Sequence, residues 1–359
     1  MRADLLTPFF AQGRVPAGDD LRAWERLLGQ ARRAGLTGRV ATQLSAAGRL
    51  GDVAAGPRRH LHWAMRLLER QRNEVAWEVD SVRRALAAVD TPLVLLKGAA
   101  YLIGDLLPAK GRLFADVDIM VARTRLAEAE SALLAAGWIG EAHDPYTQRY
   151  YREWMHELPP LRHVRRGSLL DVHHTIAPPT SRFSVDGARL LERITPIAGH
   201  DGLHMLAPVD LVLHSATHLF QEGELWHGLR DLLDLNDLLT GFAQLPGFWT
   251  GLLDRADELG LQVPLSHALH HVGRIFGTRP PAEFERRVKG MDGALVSRWL
   301  MAALLGSALR PEHPSCDGAF SRMSRFLLYV RSHWLRMPPH RLLPHLVRKA
   351  LVRTDPIPR

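Results

Sequence analysis

The run Ala115-Asp116-Val117-Asp118-Ile119 carries the most chemistry in this 359-residue chain. From Phe114 to Val121 the residues alternate in the way that predicts a strand. Residues i and i+2 of a strand face the same side. Asp116 and Asp118 therefore point together, with Cβ atoms about 7 Å apart at a rise of about 3.3 Å per residue. Val117, Ile119 and Val121 keep the other face in a core. Two carboxylates on a half-buried strand repel each other and are costly to desolvate. A hard divalent cation, Mg²⁺ or Mn²⁺, removes that cost.

Asp171, in Leu169-Leu170-Asp171-Val172-His173, supplies a third carboxylate on a second predicted strand. If the two strands pair, three acids converge. Three carboxylates can hold two cations, one to activate a hydroxyl nucleophile and one to steady a triphosphate and its leaving group. The structural alternative is an ordinary edge-strand acid partnered by His173 or His174. Those two point to opposite faces, so at most one joins Asp171.

The elements around these acids also suit phosphate. Leu93 to Leu96 reads as a short buried strand, and Gly98-Ala99-Ala100 opens a helix running to about Leu107. Glycine permits close backbone approach, and the first N–H groups of a helix are free to bind phosphate. Lys97 adds positive charge there. Lys110 and Arg112, in the loop just before the acidic strand, can neutralise phosphates as well. A helix follows the acidic strand, with Thr124 as its expected N-cap and Gly137 closing it. His156 to Val164 and Ser168 to Ile176 read as strands joined by a hairpin at Arg165-Arg166-Gly167. Ile194 to Ala198 reads as one more short strand.

These residues resemble a known family. Leu95-Leu96-Lys97-Gly98, then Arg112, Asp116-Val117-Asp118 and Ala136-Gly137-Trp138, look like the uncharacterised bacterial nucleotidyltransferases of the DNA polymerase beta-like superfamily. His214 to Leu239, with His218 and Gly228-Leu229-Arg230-Asp231, is similar to that group's helical half, so the likeness covers roughly 91–240. It implies a small mixed sheet with helices and transfer of a nucleoside monophosphate from an NTP with release of pyrophosphate. It also implies Asp116 and Asp118 as metal ligands, Asp171 as metal ligand or general base, and Lys97, Gly98 and Ala99 around the triphosphate. The superfamily usually has Gly-Gly or Gly-Ser in the turn. Gly98-Ala99 lacks that hydroxyl, which leaves the work to backbone N–H groups and Lys97. ATP, CTP, GTP and UTP all fit as donors. The acceptor class, whether small molecule, protein or RNA, is not encoded in the motif.

Composition bounds the rest. Hydrophobic residues are 46% and charged residues 23%, which excludes collagen-like, coiled-coil and wholly disordered chains. The lone cysteine, Cys316, excludes an internal disulfide framework and a cysteine-rich metal site. No apolar run approaches the roughly 18 residues of a membrane span. Gln12, Gly13 and Arg14 cut the N-terminal apolar run too short for a signal peptide, so a cytoplasmic protein is expected. Lys+Arg 46 against Asp+Glu 38 gives +8. Seven basic residues from Arg331 to Arg359 against Asp355 alone put +6 of that in the C-terminal tail. Such a tail favours a polyanion contact.

Helices are expected over Leu21 to Arg49 and His60 to Val89, and from Pro208 onward. The second has apolar residues at Trp63, Leu67, Val75, Trp77, Val82 and Leu86. The layout is α+β, with a small mixed-sheet nucleotidyltransferase core at 91–200, an N-terminal helical segment at 1–90 and a C-terminal helical domain with a basic tail at 201–359. Asp231, Asp234 and Asp237 read as a solvated acidic stripe on an amphipathic helix. Two other function classes stay open. One is a metal hydrolase using His214, His218 and Asp231, since two histidines four apart share a helix face. The other is a non-catalytic protein binding nucleic acid or a partner on the same fold.

Overall fold

A computed structural model describes residues 4–141, 144–221, 223–291 and 295–343. Four helices lead: α1 (Leu6–Gln12), α2 (Leu21–Arg33), α3 (Thr37–Ala46) and α4 (Ala55–Ala85). The Asp20 carboxylate caps α2 by accepting from Ala23 N at 3.0 Å. Trp24, Leu27, Leu28 and Ala31 bury its one apolar face. The helix expected to continue to Arg49 breaks at Gly35, whose φ of +67° lies in the left-handed region that ends helices. On α4 the apolar reading was partly wrong. Leu61, Ala64, Val75, Val79 and Val82 are buried, while Trp63, Leu67 and Trp77 face outward.

The island follows as β1 (Leu93–Leu95), α5 (Lys97–Ile103), β2 (Asp116–Met120), α6 (Leu126–Ala135), β3 (Trp138–Gly140), α7 (Pro145–Arg149), β4 (Leu161–His163), β5 (Leu169–His173), α8 (Gly187–Leu191), β6 (Ile194–Pro196) and β7 (Leu203–Leu206). These strands form one mixed sheet in the order β3-β4-β5-β2-β1-β7-β6. The central pairs are β1–β2, antiparallel, and β2–β5, parallel. The hairpin at Arg165-Arg166-Gly167 joins β4 and β5. The expected strand from His156 shrinks to Leu161–His163 plus a bridge between Glu157 and His173. Thr124 makes no cap, because a 3-10 turn at Arg123–Arg125 precedes α6. Strands β3 and β7 had not been anticipated: three or four residues show no period. β7 pairs in parallel with β1 and carries the sheet past residue 200.

Then come α9 (Pro208–Gln221), α10 (Gly228–Phe242), α11 (Phe248–Leu259), α12 (Gln262–Phe276), α13 (Glu285–Gly290), α14 (Leu295–Ala308) and α15 (Ala319–Arg336). One apolar core joins the end of α4, the sheet and helices α9 to α12, reaching Leu328. A second holds α1 to α3 against the start of α4 and against Leu229 and Leu233 of α10. Among the described residues no helix is long and apolar enough to cross a membrane. The basic residues from 344 on lie outside the described residues. Arg331, counted with that tail, is partly buried and donates to Phe220 O at 2.9 Å.

Packing of α12 on α9 should make the protein acid-sensitive. His271 is fully buried and its ring stacks on Phe220, with neither ring nitrogen hydrogen-bonded. Burial, helped by His270 and His267, pushes its pKa down to about 3. The unfolded chain takes up that proton below about pH 6.5. Stability is therefore full above that pH and is lost as pH falls toward 3. At about 1.4 kcal/mol per unit, His271 alone should cost about 2 kcal/mol by pH 5. Urea unfolding at pH 7.5 and pH 5 should show a loss smaller by that amount in His271→Leu. Equal losses in both proteins would refute the assignment.

Candidate active site

Lys97 stands at the exit of β1, where Leu96 N donates to Asp118 O at 2.9 Å and so continues the pairing with β2. Its φ of +41° is unusual for a residue with a Cβ. That turn aims the side chain back across the sheet, and Nζ lies 3.0 Å from Asp118 Oδ1. The lysine is mostly buried. Burial disfavours its charge, but Asp118, Glu157 and Asp116 outweigh burial and hold its pKa above the usual value.

Register sets the acids on one face of the sheet. β2 and β5 run parallel with Asp118 opposite Asp171, so Asp116, Asp118 and Asp171 share one face. Their environments differ. Asp118 is buried, yet Lys97 and the His173 hydrogen bond overcome that burial and hold its carboxyl well below the usual range. Asp116 opens the strand at an exposed position, and the charge of Asp118, then burial, raises its pKa. Asp171 is raised well above the carboxylate range by burial, then by Asp118, Glu157 and Asp116. One acid is thus anchored as an anion, and two carry charge that the fold disfavours.

Glu157 and His156 escaped the sequence reading, and His173, considered there as a partner of Asp171, contacts Asp118. His173 Nε2 lies 3.0 Å from Asp118 Oδ1 and its Nδ1 lies 3.4 Å from Glu157 Oε2. His156 stands beside them, its ring centroid 5.1 Å from that of His173. From α9, the buried His214 lies near enough to feel the cluster's charges, and burial followed by Lys97 pulls its pKa well down. Glu157 and His156 lie in an irregular stretch without period. The one available signal was the i+2 spacing of Asp171 and His173 on a strand.

The acidic stripe of α10 is not solvated. Asp234 is buried in an ion pair with Arg112, Asp237 pairs with Arg39 of α3, and Asp231 lies 2.8 Å from Arg230. Arg112, expected to face phosphate, thus reaches α10, with its guanidinium 5.6 Å from the Tyr101 ring centroid and 5.7 Å from that of Phe114. Burial and then Arg230 pull its pKa down, while Asp231, Tyr101 and Asp116 oppose them. Lys110 is exposed, and its carbonyl accepts from Arg39.

Gly98 and Ala99 are buried. A Cβ on Gly98 would sit 2.4 Å from Phe114 Cδ1. The Phe114 backbone is clamped on both sides, its N–H donating to Gln71 Oε1 at 3.0 Å and its carbonyl accepting from Gln71 Nε2 at 2.9 Å. Gly98 therefore makes room for a ring two residues before Asp116. Gly98→Ala should destabilise by about 1–3 kcal/mol through overpacking. An unchanged thermal midpoint would show the ring free to swing and would remove this account. Beside the clamp a cleft of about 470 Å³ opens, lined by Asp116, Gln71, Trp77 and Arg166 among others.

Among the described residues, the group of three or more metal-ligating side chains whose atoms lie within 4.8 Å of one another is His156, Glu157 and His173. Neither His214, His218 and Asp231 nor Asp116, Asp118 and Asp171 form such a group. Residues 20–277, most of the chain, match the model of a family described as uncharacterised nucleotidyltransferase. No curated protein and no solved structure matches the chain.

Proposed function

The chain belongs to this nucleotidyltransferase family, and from that membership we propose that it transfers a nucleoside monophosphate from an NTP to an acceptor hydroxyl, with release of pyrophosphate. What supports the reading at residue level is the register that sets Asp118 opposite Asp171, with Asp116 on the same face. The donor set fits a hard cation. It is all carboxylate, and two of its members hold disfavoured charge, Asp116 through repulsion by Asp118 and Asp171 through burial and its acidic neighbours. Asp116, Asp118 and Asp171 would hold Mg²⁺ or Mn²⁺, whose chemistry is to neutralise phosphate charge and to acidify a hydroxyl.

The chain's own groups supply the remaining roles. Lys97 binds phosphate oxygen as a charge already oriented by Asp118. Asp171, opposite Asp118 on the neighbouring strand, takes the acceptor's hydroxyl proton as general base. The hydroxyl oxygen then bonds to the α-phosphorus, and the bond from that phosphorus to the bridging oxygen of the β-phosphate breaks. Gly98, Ala99 and Phe114 shape the turn that presents Lys97.

The test uses each of the four NTPs labelled at the α-phosphate, with Mg²⁺ and an extract of the source cells. Label should pass to one acceptor class with one preferred nucleotide, and the labelled species identifies small molecule, protein or RNA. No transfer from any NTP, with the protein folded, would overturn the proposal.

A further inference from the structure

We infer that His156, Glu157 and His173 form a second metal site, adjoining the three aspartates through the contact of His173 with Asp118, for a divalent transition cation of the zinc class. One ligand atom from each lies within 4.8 Å of the others. The backbone sets this convergence. Glu157 bridges to His173, Leu158 N donates to Val172 O, and His174 N donates to His156 O, each N···O distance being 2.9 Å. The segment is thus pinned along β5 and the side chains are held in place.

The hydrogen-bond count at His173 points to a ligand. Its side chain is fully buried between two carboxylates, Asp118 at Nε2 and Glu157 at Nδ1. Nε2 lies 3.0 Å from Asp118 Oδ1 and Nδ1 lies 3.4 Å from Glu157 Oε2. Nδ1 has no hydrogen-bond partner, and neither has the buried Nδ1 of His156. His156 Nε2 lies 3.7 Å from that same oxygen, Glu157 Oε2. A cation seated among these atoms would take one ring nitrogen of each histidine and the Glu157 oxygen as ligands.

Ligand softness selects the ion. Two imidazoles with one carboxylate suit zinc and its neighbours, whereas magnesium favours oxygen ligands alone. A metal-bound histidine commonly donates its other ring N–H to a carboxylate, which fixes the tautomer. Asp118 stands in that position. The site needs no nucleotidyl transfer to exist, so it stands or falls independently of the proposed activity.

The experiment takes the full chain, stripped with a chelator, and titrates it with Co²⁺ in a large excess of Mg²⁺. One equivalent should bind with a visible ligand-field band, and Zn²⁺ should displace it. The bound form should show shifted, exchange-protected ring N–H resonances from histidine ligands in the proton NMR spectrum. The thermal midpoint should rise with added metal. His156→Ala and Glu157→Gln should each weaken binding by about tenfold or more. The double variant Asp116→Asn, Asp171→Asn should keep both band and affinity. Absence of Co²⁺ binding by the wild-type protein would overturn the proposal and leave His173 as an imidazolium bridging two carboxylates. Binding lost in the aspartate double variant but kept in His156→Ala would also overturn it, placing the cation on the aspartates. Should either single variant unfold, the wild-type histidine resonances decide the case.

Discussion

Asp116→Asn should lower nucleotidyl transfer by about 100- to 1,000-fold while leaving the thermal midpoint unchanged or slightly raised. The loss in rate follows from removing one oriented charge where phosphate charge develops, worth about 3–4 kcal/mol. The stability forecast follows from position. Asp116 is exposed at the start of β2, and Asp118 repels its charge. Neutralising it costs no packing and relieves repulsion. Asp118→Asn is a poorer test, because it takes the shared carboxylate from both Lys97 and His173. Its activity and stability should fall together. Labelled-NTP turnover beside a thermal melt separates the two cases. Full turnover by a folded Asp116→Asn protein would end the assignment of this acid.

Arg255→Met should destabilise the protein by about 3–5 kcal/mol, the usual cost of leaving a buried partner charge uncompensated. Arg255 and Asp210 are both fully buried, with Nε to Oδ1 at 2.8 Å and Nη2 to Oδ2 at 3.1 Å. The same guanidinium donates to Glu258 Oε1 at 2.7 Å and to Arg189 O at 2.7 Å. One side chain on α11 thus ties together α8 and the first turn of α9, the helix that carries His214 to the site. Removing both charges, in Asp210→Leu with Arg255→Met, should cost less than Arg255→Met alone, because no orphaned charge remains. Urea unfolding of the two variants measures this. A double variant weaker than the single one would show that the pair stabilises through its contacts rather than merely cancelling charge.

Much of the candidate site was legible because it obeys short-range rules. The i+2 spacing of Asp116 and Asp118 on a strand decides their common face without reference to the rest of the molecule. The Lys97-Gly98 turn was visible as a break between an apolar run and a helix. What the turn does was not visible. Gly98 was expected to lie against phosphate, and its closest neighbour is the Phe114 ring. The stripe Asp231, Asp234 and Asp237 looked solvated, because a period of three or four marks one face of a helix without saying what covers it. Arg112 and Arg39 cover it, from 122 and 198 residues away in the chain.

The sequence by itself determined that this is an α+β chain with an acidic strand in a small sheet, and its motif pointed to the right family. Those properties are local: side-chain period, breakers and residue type act over a few positions. The tertiary structure decided that Asp171 stands opposite Asp118, that Lys97 and His173 share one oxygen of Asp118, and that Glu157 and His156 complete the cluster. Strand register and the packing of a non-repeating segment against β5 set these contacts. Both depend on groups distant in the chain, and their pKa values follow from burial and neighbouring charge, which exist only once the fold has closed around them.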